Sequence, residues 1–207
     1  MKQKKRGLFI SIEGIDGAGK TTLIHALSSW LTENGYLVLQ TKEPGGTPFG
    51  AHLRKILQHH GCGSNRSEFL LFAADRAHHV ESVIRPALSN GTIVISDRYT
   101  DSSIAYQGYG LSQDITVIER VNEWSTTGLQ PDCTLYLKID AHTSEKRIDT
   151  RPSRSVIEQR DNTYWEKVIA GFNALAEKHA RIWTLDGTQK ISDITTEAKK
   201  IISSLLP

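Results

Sequence analysis

The chain has 207 residues, of which 38% are hydrophobic and 23% charged, and these fractions are ordinary for a globular protein with one substantial α/β core. Its formal net charge of +2 gives no reason to expect a nucleic acid as partner. No apolar run is as long as a membrane span and no signal-peptide core precedes Leu8, so we expect a cytoplasmic protein with no membrane partner.

The first predicted element is a buried strand, residues 8–13, and it leads directly into a glycine-rich loop. This loop fits the phosphate-binding pattern G-x-x-x-x-G-K-S/T, and apolar residues at helical spacing follow it from Leu23 to Leu31. In this context, backbone N–H groups and the helix N-terminus hold the phosphates of a nucleoside triphosphate. The predicted nucleotide site is Gly14, Ile15, Asp16, Gly17, Ala18, Gly19, Lys20, Thr21 and Thr22.

Two side chains of this loop have predicted chemical roles. Lys20 is expected to reach the outer phosphates, and the Thr21 hydroxyl is expected to bind Mg²⁺. The alternative is a glycine turn that begins a helix and leaves Lys20 in solvent. Agreement at every fixed position of the pattern, and in both flanking elements, favours the phosphate site.

Four further strands are predicted after the first helix, and amphipathic helices alternate with them. They cover residues 37–41, 92–96, 134–139 and 182–185. Strands that alternate with helices at this spacing form a parallel sheet. The sequence therefore predicts an α/β fold of the P-loop NTPase type, a five-stranded parallel sheet with helices on both faces, in a single domain over residues 1–207.

Local signals mark the long helix between the second and third strands. Asn65, with Glu68 three residues on, is a candidate capping box, and Pro86 is expected to end or kink the helix. The histidine pairs at 59–60 and 78–79 have no carboxylate or cysteine at metal-ligand spacing. We interpret them as helix-face residues.

Asp97 and Arg98 follow the third strand, at the sheet edge where parallel α/β folds bind ligands. Phosphate-loop proteins hold a second Mg²⁺ anchor at this position, so Thr21 and Asp97 are the predicted metal residues. The Arg98 fork suits bidentate capture of a phosphate. The alternatives are a strand-end turn carboxylate for Asp97 and a surface ion pair for Arg98.

Two other sequence features become candidate parts of the site when they occur together with a phosphate loop. Phe72 and Arg76 share a helix face, where a ring and a guanidinium suit a planar base, although an aromatic residue in the core is an equally good interpretation. The apolar pattern lapses between Arg147 and Arg160, in an arginine-rich segment. It is either a solvated charge run or a lid, about residues 147–160, that brings arginines to the transferring phosphoryl group.

Several motifs, taken together and in chain order, resemble the thymidylate kinase family, the kinases that make dTDP from dTMP and ATP. The resemblance covers nearly the whole chain. The matching stretches are the phosphate loop within 12–22, Glu-Pro-Gly-Gly-Thr at 43–47, the Phe-x-x-x-Arg pair within 70–76, Asp-Arg-Tyr at 97–99, Ala-Tyr-Gln-Gly at 105–108, and residues 131–137.

The resemblance implies a role for each residue of a dTMP site. Phe72 would stack on thymine, and Arg76 would bond its O4 edge. Arg98 would hold the dTMP phosphate, while Asp16 would lie near the 3′-hydroxyl and that phosphate. Ser103 would lie along the base, and Tyr106 would crowd the 2′ position of the sugar. The implied dTMP site is Asp16, Phe72, Arg76, Arg98, Ser103, Tyr106 and Gln107.

The family also implies ATP and Mg²⁺ as cofactors and a cytoplasmic homodimer. No arginine lies between Gly14 and Lys20, which resembles the bacterial type, in which the lid supplies the catalytic arginine. The lid usually reads Asp-Arg-Phe/Ile-Glu, but residues 155–158 read Ser-Val-Ile-Glu, so Arg154 or Arg160 would substitute for the arginine missing at Val156. The implied catalytic residues are Asp16, Lys20, Arg98, Arg151 and Arg154.

The sequence thus predicts a dTMP kinase, and three alternatives remain open. A deoxynucleoside kinase would need a carboxylate base at the 5′ position of the sugar. Its acceptor is a hydroxyl, so Arg98 would have no acceptor phosphate to bind. A GTPase-like switch would read guanine through Asn-Lys-x-Asp, yet residues 137–140 are Leu-Lys-Ile-Asp. A catalytically idle structural dimer has only the unusual lid sequence in its favour.

Overall fold

The computed structural model describes residues 6–60, 62–148 and 155–206. Five strands lie in these ranges: β1 (Phe9–Glu13), β2 (Val38–Lys42), β3 (Ile93–Asp97), β4 (Cys133–Lys138) and β5 (Ile182–Asp186). They form one parallel sheet in the order β2-β3-β1-β4-β5. This finding confirms the predicted five-stranded parallel sheet.

Helices connect the strands, as βαβ topology requires. The helices are α1 (Lys20–Glu33), α2 (Pro48–Lys55), α3 (Asn65–His79), α4 (Arg85–Ser89), α5 (Thr100–Ser103), α6 (Ile115–Thr126), α7 (Ala141–Ile148), α8 (Asn162–Lys178) and α9 (Ile191–Ser203). Three of them, α2, α3 and α5, continue into wider π-helical turns, which lie at Ile56–His60, Val80–Ile84 and Ile104–Gly110.

The start of α3 differs from the sequence prediction. Ser64, not Asn65, has the extended backbone of an N-cap, and its side chain accepts a hydrogen bond from the Ser67 N–H. Glu68 is therefore one position too far along to complete a capping box, and its carboxylate bonds other side chains instead. At the other end, the backbone stays helical from α3 through the Val80–Ile84 turn into α4, so Pro86 does not end the helix, and a wider π-helical turn lies directly before α4.

The sheet is covered on both faces. The neighbouring strand residues Phe9 and Ile10 point to opposite sides, and they belong to two different buried clusters. The larger cluster includes side chains of α1, α8 and α9. Because β1, β2 and β3 run parallel, the chain segments that follow them meet at one edge of the sheet. No helix in the described ranges has the length and apolar character needed to cross a membrane.

Candidate active site

The loop after β1 is shaped by glycines in left-handed backbone. Gly14, Gly17 and Gly19 have φ of 135°, 77° and 97°. At Gly14 the chain also passes so close to β4 that an added Cβ would lie 2.6 Å from the Leu137 carbonyl oxygen. Only glycine fits that position, because the conformation and the close approach each exclude a side chain.

Lys20 begins α1 and turns back over this loop. Its ammonium donates to the carbonyl oxygens of Gly14 and Ile15, at 3.1 and 3.2 Å, and the side chain is buried. Burial, and then the nearby Arg98 cation, lower the pKa of Lys20 from its usual value. A buried cation bonded to two neutral carbonyls, with Asp16 Oδ1 4.0 Å away, is well placed to bind an anion.

A cleft of about 770 Å³ opens beside Lys20. Thr21, Asp97 and Arg147 contribute to its walls. Asp97 Oδ1 is buried, yet it has no hydrogen-bond partner among the residues described here. An orphaned carboxylate oxygen beside a threonine hydroxyl fits a hard divalent cation, which takes oxygen ligands. We call this cavity the donor cleft.

Arg98 projects from the end of β3 in an uncommon backbone conformation, with φ of 75°. Its guanidinium donates to the Gly14 carbonyl oxygen at 2.8 Å and to Asp16 Oδ1 at 2.9 Å. It also lies over the ring of Tyr106, with Cζ 4.8 Å from the ring centroid. The sequence-predicted residues Asp16, Arg98 and Tyr106 are therefore in direct contact.

Glu13, which the sequence analysis did not single out, supports the Arg98 conformation. It is fully buried, and its carboxylate accepts hydrogen bonds from the Tyr99 N–H at 2.7 Å and from the hydroxyls of Ser11 and Ser102. Ser102 Oγ in turn accepts from Arg98, at 3.2 Å. Burial, and then the Asp101 charge, raise the pKa of Glu13 to about 7.

A second cleft, of about 380 Å³, adjoins the first, and we call it the acceptor cleft. Asp16, Glu43, Arg54 and Arg98 line both clefts, so the two cavities adjoin along these residues, and the Asp16–Arg98 pair lies at that boundary. Residues 155, 157 and 158 also line this cleft. All the residues that the resemblance implied for dTMP line the acceptor cleft, namely Asp16, Phe72, Arg76, Arg98, Ser103, Tyr106 and Gln107.

Arg76 is only 1% exposed, and its guanidinium is fixed by hydrogen bonds. It donates to Glu43 Oε2 at 2.7 Å, to Asn122 Oδ1 at 2.7 Å and to Ser103 Oγ at 3.0 Å. Glu43 also pairs with His79, whose Nδ1 lies 2.9 Å from Oε1. The interpretation of His79 as a helix-face histidine was wrong, since its side chain is fully buried in this network. Its position three residues after Arg76 was the available signal.

Only some arginines of the lid segment lie within the described residues. Arg151 and Arg154 lie outside the described residues. Arg160 forms an ion pair with Glu68 at 2.5 Å and lies over the Tyr164 ring. Arg147 donates to the carbonyl oxygens of Gly17 and Gly187, at 3.1 Å each, and so joins the phosphate loop to the loop after β5.

Comparison with known proteins agrees with this geometry. The family model described as "Thymidylate kinase" matches residues 12–198. The chain is 44% identical to the thymidylate kinase of Exiguobacterium sp., over 92% of both chains, and 41% identical to that of Leifsonia xyli, over 93% of both. The crystal structure of the Ehrlichia chaffeensis thymidylate kinase superposes with a TM-score of 0.79 and 32% identity, covering 96% of this chain and 99% of that one. The chain therefore belongs to the thymidylate kinase family, whose reaction is phosphoryl transfer from ATP to dTMP.

Proposed function

We propose that the chain performs this reaction, transferring the γ-phosphoryl group of ATP to dTMP to give dTDP and ADP for dTTP synthesis. The observation that supports it best is the meeting of the donor and acceptor clefts at Asp16 and Arg98. Phosphoryl transfer requires little covalent work from a protein. It requires two phosphates held in line and their charge offset.

On the donor side, the backbone of residues 14–22 binds the ATP phosphates, and Lys20 offsets their charge. Thr21 and Asp97 would hold Mg²⁺, as the unpartnered buried oxygen of Asp97 suggests. Bound there, the ion neutralises charge on the phosphate oxygens. Arg147, bonded to both loops, keeps the phosphate loop aligned with Gly187.

On the acceptor side, Phe72 and Arg76 bind the thymine base. The buried partners of Arg76 support this role, because they hold its guanidinium in one orientation at the cleft wall. Ser103 and Gln107 line the base position, and Tyr106 lies where a ribose 2′-hydroxyl would need space. Arg98 binds the acceptor phosphate, and Asp16 orients both that phosphate and the 3′-hydroxyl.

The remaining proposals concern the lid and the assembly. We assign residues 1–207 to one domain with a lid at about 147–160, from which Arg151 and Arg154 reach the transferring group. We also propose a cytoplasmic homodimer formed through α3 and α6. These helices expose Leu70 and Val117 to about half, and Trp124 is 81% exposed. Exposed apolar side chains on two helices that contact each other support an interface on this face.

A coupled assay tests the proposed function. The protein is given ATP and Mg²⁺ with a panel of nucleoside monophosphates and with thymidine, and ADP release is followed. We expect dTMP to be the best acceptor and thymidine to be inactive. Turnover of thymidine instead of dTMP would favour a deoxynucleoside kinase, and turnover of neither would favour an idle structural protein.

A further inference from the structure

We propose that Glu68 is a positioning residue that sets base selectivity, because it fixes the side-chain amide of Gln107 with its carbonyl oxygen toward the acceptor cleft. The inference rests on the proposed function, since it concerns the base of the dTMP acceptor. Neither the phosphate loop nor the family motifs include Glu68.

Glu68 and Gln107 meet in the interior, between α3 and the Ile104–Gly110 turn. Glu68 is 7% exposed and Gln107 is 2% exposed. Gln107 Nε2 donates to Glu68 Oε1 at 3.0 Å. Gln107 lines the acceptor cleft, whereas Glu68 lies behind it.

The chemistry of the carboxylate determines which end of the amide faces the base. An ionised carboxylate only accepts hydrogen bonds, so Gln107 must present its NH₂ group to Glu68. The carbonyl oxygen then points to the other side. Within the described ranges, Gln107 Oε1 has no hydrogen-bond partner in the protein, which leaves it available to a ligand.

Arg160 bonds the Glu68 carboxylate together with Gln107. Its guanidinium nitrogens lie 2.5 Å from Oε2 and 3.4 Å from Oε1 of Glu68. Arg160 is held in turn by the Tyr164 hydroxyl, at 2.8 Å, and by the face of that ring. Two donors, one from Arg160 and one from Gln107, therefore converge on a single buried carboxylate.

A carbonyl oxygen on the cleft wall selects among pyrimidines. Thymine and uracil carry an N–H at position 3, which can donate to Gln107 Oε1. Cytosine carries a lone pair at that position, which would face the lone pairs of the same oxygen. A site built to pair with a donor rejects a base that lacks it, because buried polar groups are then left unpaired.

The test replaces Glu68 by its neutral isostere. In Glu68→Gln, the Arg160 guanidinium donates to the oxygen of the new side-chain amide. The NH₂ group of that amide then faces Gln107. Gln107 must then rotate and present its own NH₂ to the cleft. We expect the ratio of kcat/KM for dTMP to that for dCMP to fall about tenfold or more.

Two further variants separate orientation from general damage. Arg160→Gln keeps the carboxylate, so the dTMP/dCMP ratio should stay within about twofold of the wild type, whatever happens to the rate. In the double variant Glu68→Gln with Arg160→Leu, the new amide oxygen is free to accept from Gln107 again. The ratio should then recover toward the wild-type value.

The outcomes are distinguishable from failure of the proposed function. If the wild-type protein does not phosphorylate dTMP, the proposed function is wrong. If it does, but Glu68→Gln lowers both acceptors equally, the inference about Glu68 is overturned. Should Glu68→Gln not fold, a crystal structure of the wild-type protein with dTMP decides, and a base whose N3 points away from Gln107 refutes the inference.

Discussion

Arg98 donates a 2.9 Å hydrogen bond to Asp16 at the place where the donor and acceptor clefts meet. The pair is partly exposed, with 15% and 26% of the two side chains accessible. An incoming acceptor phosphate can therefore reach the guanidinium without a rearrangement of the core. Substitution of Arg98 is therefore the most direct test of how the acceptor phosphate is bound.

We expect Arg98→Ala to lower kcat/KM for dTMP on the order of 10³-fold, because an arginine that offsets transferring charge has an effect of this size. ATP affinity, measured by calorimetry, should change little, since Lys20 and the loop backbone stay in place. Equal losses of ATP binding and turnover would move Arg98 to the donor side, and loss of neither would remove it from the site.

Glu13 should make the stability of the fold depend on pH. Its pKa is raised from 4.5 to about 7, so between these values the unfolded chain ionises while the folded protein retains the proton. The free energy of unfolding therefore falls as pH rises through this window, by about 3 kcal/mol for a difference of this size.

Glu13→Gln lacks this titration, so its stability should fall less between pH 5 and pH 7 than that of the wild type. Urea unfolding at the two pH values measures the difference. Glu33→Gln, at the exposed end of α1, is the matched control and should keep the wild-type pH dependence. A wild-type dependence in Glu13→Gln would contradict the assignment.

The buried pair of Glu43 and Arg76 should be more important for stability than a pair on the surface. Both side chains are 2% exposed, so Glu43→Gln leaves an uncompensated buried cation, and we expect a loss of about 3 kcal/mol. Glu119→Gln, which breaks an exposed pair with Lys178, should cost less than about 1 kcal/mol. Denaturant unfolding of both variants gives the comparison, and equal losses would contradict it.

Trp124 tests the proposed homodimer. Trp124→Glu places a charge on the exposed face of α6, and we expect the molar mass from light scattering to fall to that of a monomer. Trp183→Glu, on a 46% exposed residue of β5, is the control and should leave the mass unchanged. A monomeric wild-type protein would refute the dimer itself.

Local patterns predicted the sheet and the phosphate loop, because apolar runs and glycine spacing act over a few residues. The sequence-based predictions were wrong where contacts between residues far apart in the chain determine the partners of a side chain. Glu68 has the spacing of a capping partner, but Ser64 caps α3 and Arg160, 92 residues away, pairs with Glu68. His79 and Glu43 meet across 36 positions, and no local rule joins them.

The roles of the site residues followed a similar division. Phe72 and Arg76 are four residues apart on one helix, so the sequence could place them together, but it could not show that Glu43 and Asn122 fix the guanidinium. From the sequence alone, Glu13 is indistinguishable from the other residues of the first strand. Its function as a support appears only when β1 and β3 lie side by side and the Tyr99 N–H points at its carboxylate.

The left-handed backbone at Arg98 has an evolutionary consequence. A residue with a Cβ costs roughly 1 kcal/mol or more in this conformation, which glycine adopts freely. The guanidinium offsets this cost, because it donates to the Gly14 carbonyl oxygen and to Asp16 and lies over the Tyr106 ring. Glycine would relieve the backbone but lose these contacts, so the two effects oppose each other in any lineage that no longer needs the phosphate site.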